Sequence, residues 1–143
     1  MSDWRVSTPN PLASIYAKGF FMETLNQNVL DEYSSYLRNK YKNIIKQIEL
    51  DECTDEEGRW YIYLVNITIK KSQRNKGYGS AVMSEITALA DKYNVRIRLY
   101  ATNIFGAELK RLYGFYRKHG FILIKKCNDG EMMYYPRKTK KKV

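Results

Sequence analysis

The sequence has few of the residues that build metal centres and disulfide scaffolds. Its 143 residues include two cysteines and one histidine. Cys53 and Cys127 stand too far apart for metal-ligand spacing, and His119 is alone. Two reduced cysteines and no metal are therefore expected. Proline is also scarce, and Pro9 and Pro11 mark residues 1–14 as an irregular lead-in. The longest unbroken apolar run, Trp60 to Val65, is too short to span a bilayer. Met1-Ser2-Asp3-Trp4-Arg5 opens no apolar signal segment. These shortages lead to the expectation of a soluble cytoplasmic protein with no membrane partner. One further absence is local: there is no Asp or Glu from Arg59 through Ser80.

What is abundant is positive charge. Lys and Arg total 25 against 15 Asp and Glu, a formal net charge of +10. Such an excess attracts polyanions, nucleic acid and phosphorylated small molecules alike. Part of it sits in the last seven residues, where Arg137, Lys138, Lys140, Lys141 and Lys142 crowd together. That run reads as a solvated tail, or alternatively as a nucleic-acid contact. With 44% hydrophobic residues, residues 1–136 suffice for one domain with its own core, and residues 137–143 form the basic tail.

Along the chain, Ser14 to Phe21 is a candidate first strand. Val29, Tyr33, Tyr36, Leu37 and Tyr41 share one helical face, with Asn28 as the expected N-cap and Asp31 in the first turn. The alternating stretch from Asn43 to Cys53, the polar turn Thr54 to Gly58 and the apolar run Trp60 to Ile69 predict an antiparallel hairpin. A helix from about Gly79 to Tyr93 carries Ala81, Val82, Ile86, Leu89, Ala90 and Tyr93 on one face, and Val95 to Ala101 is a short strand. Strand, helix, strand predicts a parallel pair. A third helix runs from about Ala107 to Lys118 and stops at Gly120. Asn128-Asp129-Gly130 turns a closing hairpin. The expected class is α/β (α+β), a mixed sheet with helices. Thirteen tyrosines either fill its core or, on the first helix, anchor a homodimer.

One segment carries chemistry. Arg74-Asn75-Lys76-Gly77-Tyr78-Gly79-Ser80 follows a strand and opens a helix. Its glycines allow a close backbone approach, and the helix N-terminus offers unpaired N–H groups to an anion. The spacing is not Gly-x-Gly-x-x-Gly, and no Gly-Lys-Ser/Thr is present.

With Ile67-Thr68-Ile69 before it and Phe115-Tyr116-Arg117-Lys118-His119-Gly120-Phe121 after it, the segment resembles the GNAT superfamily of acetyl-CoA-dependent N-acyltransferases. Arg74, Gly77 and Gly79 match the family's phosphate pattern. Tyr116, Lys118, Gly120 and Phe121 match Tyr-x-Lys-x-Gly-Phe, and Met132 to Pro136 resembles the last strand. The resemblance covers residues 60–136 closely and the first 58 in outline. It implies a splayed parallel strand pair whose Ile67, Thr68 and Ile69 backbone pairs with the pantetheine arm of acetyl-CoA. It also implies that the amides of Asn75, Lys76, Gly77, Tyr78, Gly79 and Ser80 hold the pyrophosphate, with Arg74 and Lys76 adding charge. Tyr116 would protonate the departing thiolate, and an amine would attack directly with no acyl-enzyme.

Two departures qualify that implication. The strand before the phosphate turn lacks the usual Glu, leaving Glu49, Asp51, Glu52 or a water chain as base. Leu109 stands where relatives often have Asn, and Asn103 is the substitute cofactor contact. His119 reads as a helix-end residue. The leading function is acetyl transfer from acetyl-CoA to an unidentified primary amine. The alternative is a non-catalytic basic module of this fold that binds nucleic acid or a protein.

Overall fold

A computed structural model describes residues 25–101, 109–125 and 130–137. Helix α1, Gln27–Lys40, begins two residues before the expected start. Asn26, not Asn28, is its N-cap and accepts from the Val29 N–H at 3.0 Å. The cause is a partner distant in sequence. The Gln27 N–H donates to Glu52 Oε1 at 2.9 Å, and the Glu52 N–H donates to Gln27 Oε1 at 2.7 Å. That reciprocal pair fixes the first turn and leaves Asp31 beyond it, so the turn holds no acid. Leu30, Tyr33, Ser34 and Leu37 form the buried stripe at helical spacing.

Strands β1, Ile45–Thr54, and β2, Trp60–Ile69, pair antiparallel as expected. A single 3-10 turn, Lys71–Gln73, then leads into α2, Tyr78–Tyr93, and β3, Arg96–Tyr100. Strand β3 runs parallel to β2, as a helical crossover requires. Helix α3 spans Leu109–Lys118, and β4, Ile122–Lys125, pairs antiparallel with β5, Glu131–Tyr134. The sheet order is β1-β2-β3-β5-β4, so the last strand inserts beside β3. This mixed sheet with flanking helices is the expected class. The expected strand Ser14–Phe21, the residue Asn103, the turn residues Asn128 and Asp129 and the tail beyond Arg137 lie outside the described residues.

One face of the sheet makes the core. Leu50 opposes Leu64, Ile62 opposes Ile97 and Leu99 opposes Met132, all buried. Against them lie Leu30 and Leu37 of α1 and Val82, Met83, Ile86 and Leu89 of α2. Each such side chain contributes about 1.5–3 kcal/mol by leaving water. Polar groups fasten the helices to one another. Glu85 of α2 receives Lys40 Nζ at 2.7 Å and the Tyr41 phenol at 2.8 Å, and its carbonyl accepts from the Tyr33 phenol at 3.2 Å. The tyrosines of α1 therefore serve this chain's own core and its junction with α2.

The outer edge of β1 is covered by α1 side chains. Gln27 Nε2 donates to the Leu50 carbonyl at 3.1 Å and Arg38 donates to the Ile48 carbonyl at 3.3 Å. These bonds blunt an edge that would otherwise invite further strands.

The closing hairpin depends on Gly130. Its φ is +67°, and a Cβ there would collide with the Tyr113 phenol of α3. Gly130→Ala should therefore destabilise the protein by about 2–4 kcal/mol, from left-handed strain plus overpacking. Urea denaturation measures it, and an unchanged midpoint would contradict this packing.

Candidate active site

Strand β2 pairs with β3 only through Tyr61, Ile62 and Tyr63, opposite Arg96, Ile97 and Arg98. Beyond Tyr63 the ladder stops. β2 continues to Ile69 bonded to β1 alone, while β3 continues to Tyr100 bonded to β5. The expected splay of the parallel pair is thus present. Its onset coincides with a bulge: neighbours Glu49 and Leu50 of β1 oppose Asn66 and Leu64, leaving Val65 as an extra residue on β2. Val65 is 39% exposed, high for an apolar side chain of a central strand.

The parting opens a cleft of about 780 Å³. Residues 63–69 of β2 form one wall, Leu99 to Ala101 another, and Arg111, Leu112, Phe115 and Tyr116 of α3 a third, with Arg74 and Asn75 at the phosphate turn. Ile67, Thr68, Ile69, Arg74, Asn75 and Tyr116 meet in one cavity, whose lining does not include Lys76, Gly77, Tyr78, Gly79 or Ser80. Arg111, Leu112 and Phe115 were not anticipated there. Only the helical face they share with Tyr116 could have signalled them.

The turn is shaped by two residues at positive φ. Arg74 is extended, Asn75 sits at φ +63°, and Gly77 at φ +88° is the N-cap of α2. Gly77 needs glycine for that φ. Gly79 does not: a Cβ there would only touch the Phe115 ring at 3.6 Å. No side chain caps α2 and no acid lies in its first turn, so among the described residues the positive end of its dipole is unopposed. Lys76 is exposed beside it. Arg74 is drawn back, its Nε donating to the Ile69 carbonyl at 2.9 Å. The helix begins at Tyr78, one residue ahead of the expected Gly79, because Gly77 itself serves as cap.

The spacing of Tyr116, Gly120 and Phe121 has a local cause. The Phe121 N–H donates to the Tyr116 carbonyl at 3.1 Å and the Gly120 N–H to the Arg117 carbonyl at 2.9 Å. With Gly120 at φ +95°, these bonds form a Schellman helix end. Its usual apolar contact is the Tyr116–Phe121 ring pair, 5.7 Å apart. Phe121 in turn meets Tyr134 at 5.5 Å. Tyr116 thus packs against the core with one part of its ring and lines the cleft with another. Burial pushes its phenol above the ordinary range, so it stays protonated at neutral pH.

The carboxylate candidates fare unequally. Glu52 is taken up by Gln27. Glu49 and Asp51 stand opposite Asn66 and Tyr63 across the β1–β2 ladder. Among the described residues no Asp or Glu lines the cleft. Leu109, in place of an Asn, packs on the core. His119 does more than end a helix. Its Nε2 lies 3.2 Å from Ser80 Oγ, and burial, then Lys118, lower its pKa.

Residues 33–123, more than half of the chain, match the model of the acetyltransferase (GNAT) domain. The chain belongs to the GNAT family. No curated protein sequence matches it. Among solved structures, that of PH1933 from Pyrococcus horikoshii OT3 is 18% identical, covers 96% of this chain and 96% of that one, and has a TM-score of 0.54. The NatB acetyltransferase complex bound to CoA and MES is 15% identical over 95% of this chain and 97% of that one, at a TM-score of 0.50. The KacTA–DNA complex is 21% identical over 62% of this chain at a TM-score of 0.45, and this chain spans only 56% of that one. At these identities the likeness concerns the GNAT fold. Among the described residues no helix is long and apolar enough to cross a membrane.

The phenol's environment sets a test. Because burial raises the Tyr116 pKa, wild type and Tyr116→Phe should show superimposable phenolate absorbance up to about pH 10, the ordinary tyrosine value. They should diverge only above it. A difference at neutral or mildly alkaline pH would contradict a buried, protonated Tyr116.

Proposed function

We propose that this GNAT protein is an N-acetyltransferase that moves an acetyl group from acetyl-CoA to a primary amine by direct attack. The observation that carries the proposal is the parting of β2 from β3 after Tyr63, with an uncapped helix N-terminus at its end. A ligand with an extended amide arm and a diphosphate suits both halves of that arrangement. The NatB structure contains CoA, which accords with this choice of ligand. The backbone of Ile67, Thr68 and Ile69 would bond the pantetheine amides as a neighbouring strand would. The amides of Asn75 to Ser80 would hold the diphosphate, with Arg74 and Lys76 contributing charge.

Acetyl-CoA supplies an activated thioester. The amine must first lose a proton, and with no acid lining the cleft among the described residues that proton leaves through water held by main-chain carbonyls, or to Glu49 or Asp51, whose register partners Asn66 and Tyr63 both line the cleft. The amine nitrogen then bonds to the acetyl carbon, the carbon–sulfur bond breaks, and Tyr116 gives its phenolic proton to the sulfur. A phenol held protonated by burial suits this role. The products are the N-acetylated amine and free CoA thiol. The domain would comprise residues 1–136, and Asn103 would add a cofactor contact.

A second reading keeps the fold without the chemistry. The absence of a cleft carboxylate among the described residues and the presence of Arg74 and Arg111 in its walls favour a basic module for nucleic acid or a protein, helped by residues 137–143. Calorimetry with acetyl-CoA separates the two. Micromolar binding, plus thiol release with an amine, is expected. Tyr116→Phe should lower kcat about 10- to 1,000-fold and leave cofactor affinity within about twofold. No cofactor binding would overturn the enzymatic reading, and unchanged turnover would remove Tyr116 from its role.

A further inference from the structure

The end of α3 and the start of α2 touch through two side chains. The Phe115 ring lies against Gly79, and the His119 ring meets Phe115 at 5.0 Å, which brings His119 Nε2 to 3.2 Å from Ser80 Oγ. The Schellman bonds fix the backbone on either side of His119, and its ring packs on Phe115. Ser80 is the third residue of α2, inside the uncapped first turn. The only histidine of the chain is therefore bonded to the cradle and not to the reacting end of the cleft.

We propose that His119 is a positioning residue for the diphosphate: by donating from Nε2 to Ser80 Oγ it turns the serine O–H toward the anion. This rests on the cofactor reading above. The logic is that of donor and acceptor inventory. A serine hydroxyl has one hydrogen. If neutral His119 accepts it, Ser80 presents only lone pairs to a phosphate oxygen, which repel it. If Nε2 carries a hydrogen, the serine oxygen accepts that and its own hydrogen is free for the phosphate. An imidazolium guarantees the second arrangement and adds a positive charge behind it.

Proton binding and diphosphate binding are then coupled. The unliganded ring is held neutral near pH 7 by burial and by Lys118. Among the described residues, the cations placed beside it are Lys118 on its own helix and Arg137, whose guanidinium lies next to Gly120; Asp91 of α2 accepts from the Arg137 N–H at 2.8 Å. A bound diphosphate offsets their repulsion and raises the affinity of His119 for a proton. By linkage, affinity for the diphosphate rises as pH falls.

The test uses dephospho-coenzyme A, whose diphosphate diester does not titrate in this range, because the 3′-phosphate of CoA itself has a second pKa near about 6. Calorimetry on the full chain at about pH 6 and about pH 8 should show wild type binding about 3- to 10-fold more tightly at the lower pH. His119→Gln keeps a donor toward Ser80 but cannot be protonated, so it should bind with the same affinity at both. Ser80→Ala should weaken dephospho-coenzyme A at both pH values, and neither substitution should alter binding of acetyl-pantetheine, which lacks the diphosphate. Wild-type affinity that ignores pH, or an equal loss of acetyl-pantetheine binding in His119→Gln, would overturn the proposal. Failure of wild type to bind dephospho-coenzyme A at either pH would overturn it together with the cofactor reading.

Discussion

The structure depends on one interrupted ladder. β2 bonds to β3 for three residue pairs and then leaves it, although both strands continue. A backbone polar group left without a partner and shut from water costs about 1–3 kcal/mol, so a fold keeps such groups only where water or a ligand completes them. The bulge at Val65 is what lets β2 turn away while its other edge stays bonded to β1. Everything else holds that opening in shape. The buried face through Ile62, Leu64, Ile97 and Leu99 keeps the strands from closing or drifting, and α3 and the turn residues Arg74 and Asn75 border the gap they leave.

The two ends of the cleft are joined by a single helix terminus. The Schellman bonds after Tyr116 orient its ring between Phe115 and Phe121, and the same stretch brings His119 onto Ser80 at the phosphate end. One local backbone feature thus places the Tyr116 phenol at one end and the His119–Ser80 contact at the other. That explains why Tyr116, Gly120 and Phe121 need their spacing for reasons of packing alone, before any chemistry is invoked.

Much of this was legible in the sequence, for identifiable reasons. Strand β2 was read to its final residues because an apolar, β-branched run lies between Gly58 and a lysine pair. Gly77, Gly120 and Gly130 marked the positive φ positions that the chain does adopt. Features made by long-range pairing were not legible. The start of α1 is set by Glu52, 25 residues away from Gln27. Met83 is fully buried although it fell off the face read for α2. The Val65 bulge exists only as a register between two strands. Arg111, Leu112 and Phe115 enter the cleft because of how α3 docks, and no motif announces that. The missing carboxylate was visible as an absence, and the structure adds that Glu52, one of its substitutes, is engaged elsewhere.

The most direct test of the interrupted ladder as a ligand slot is amide hydrogen exchange with and without acetyl-CoA. Cleft-facing amides of residues 65–69 and those of residues 75–80 should slow by about tenfold or more when the ligand binds, while β1 and α1 change little. Protection confined to other segments, with β2 exchanging as fast as in the free protein, would contradict the account.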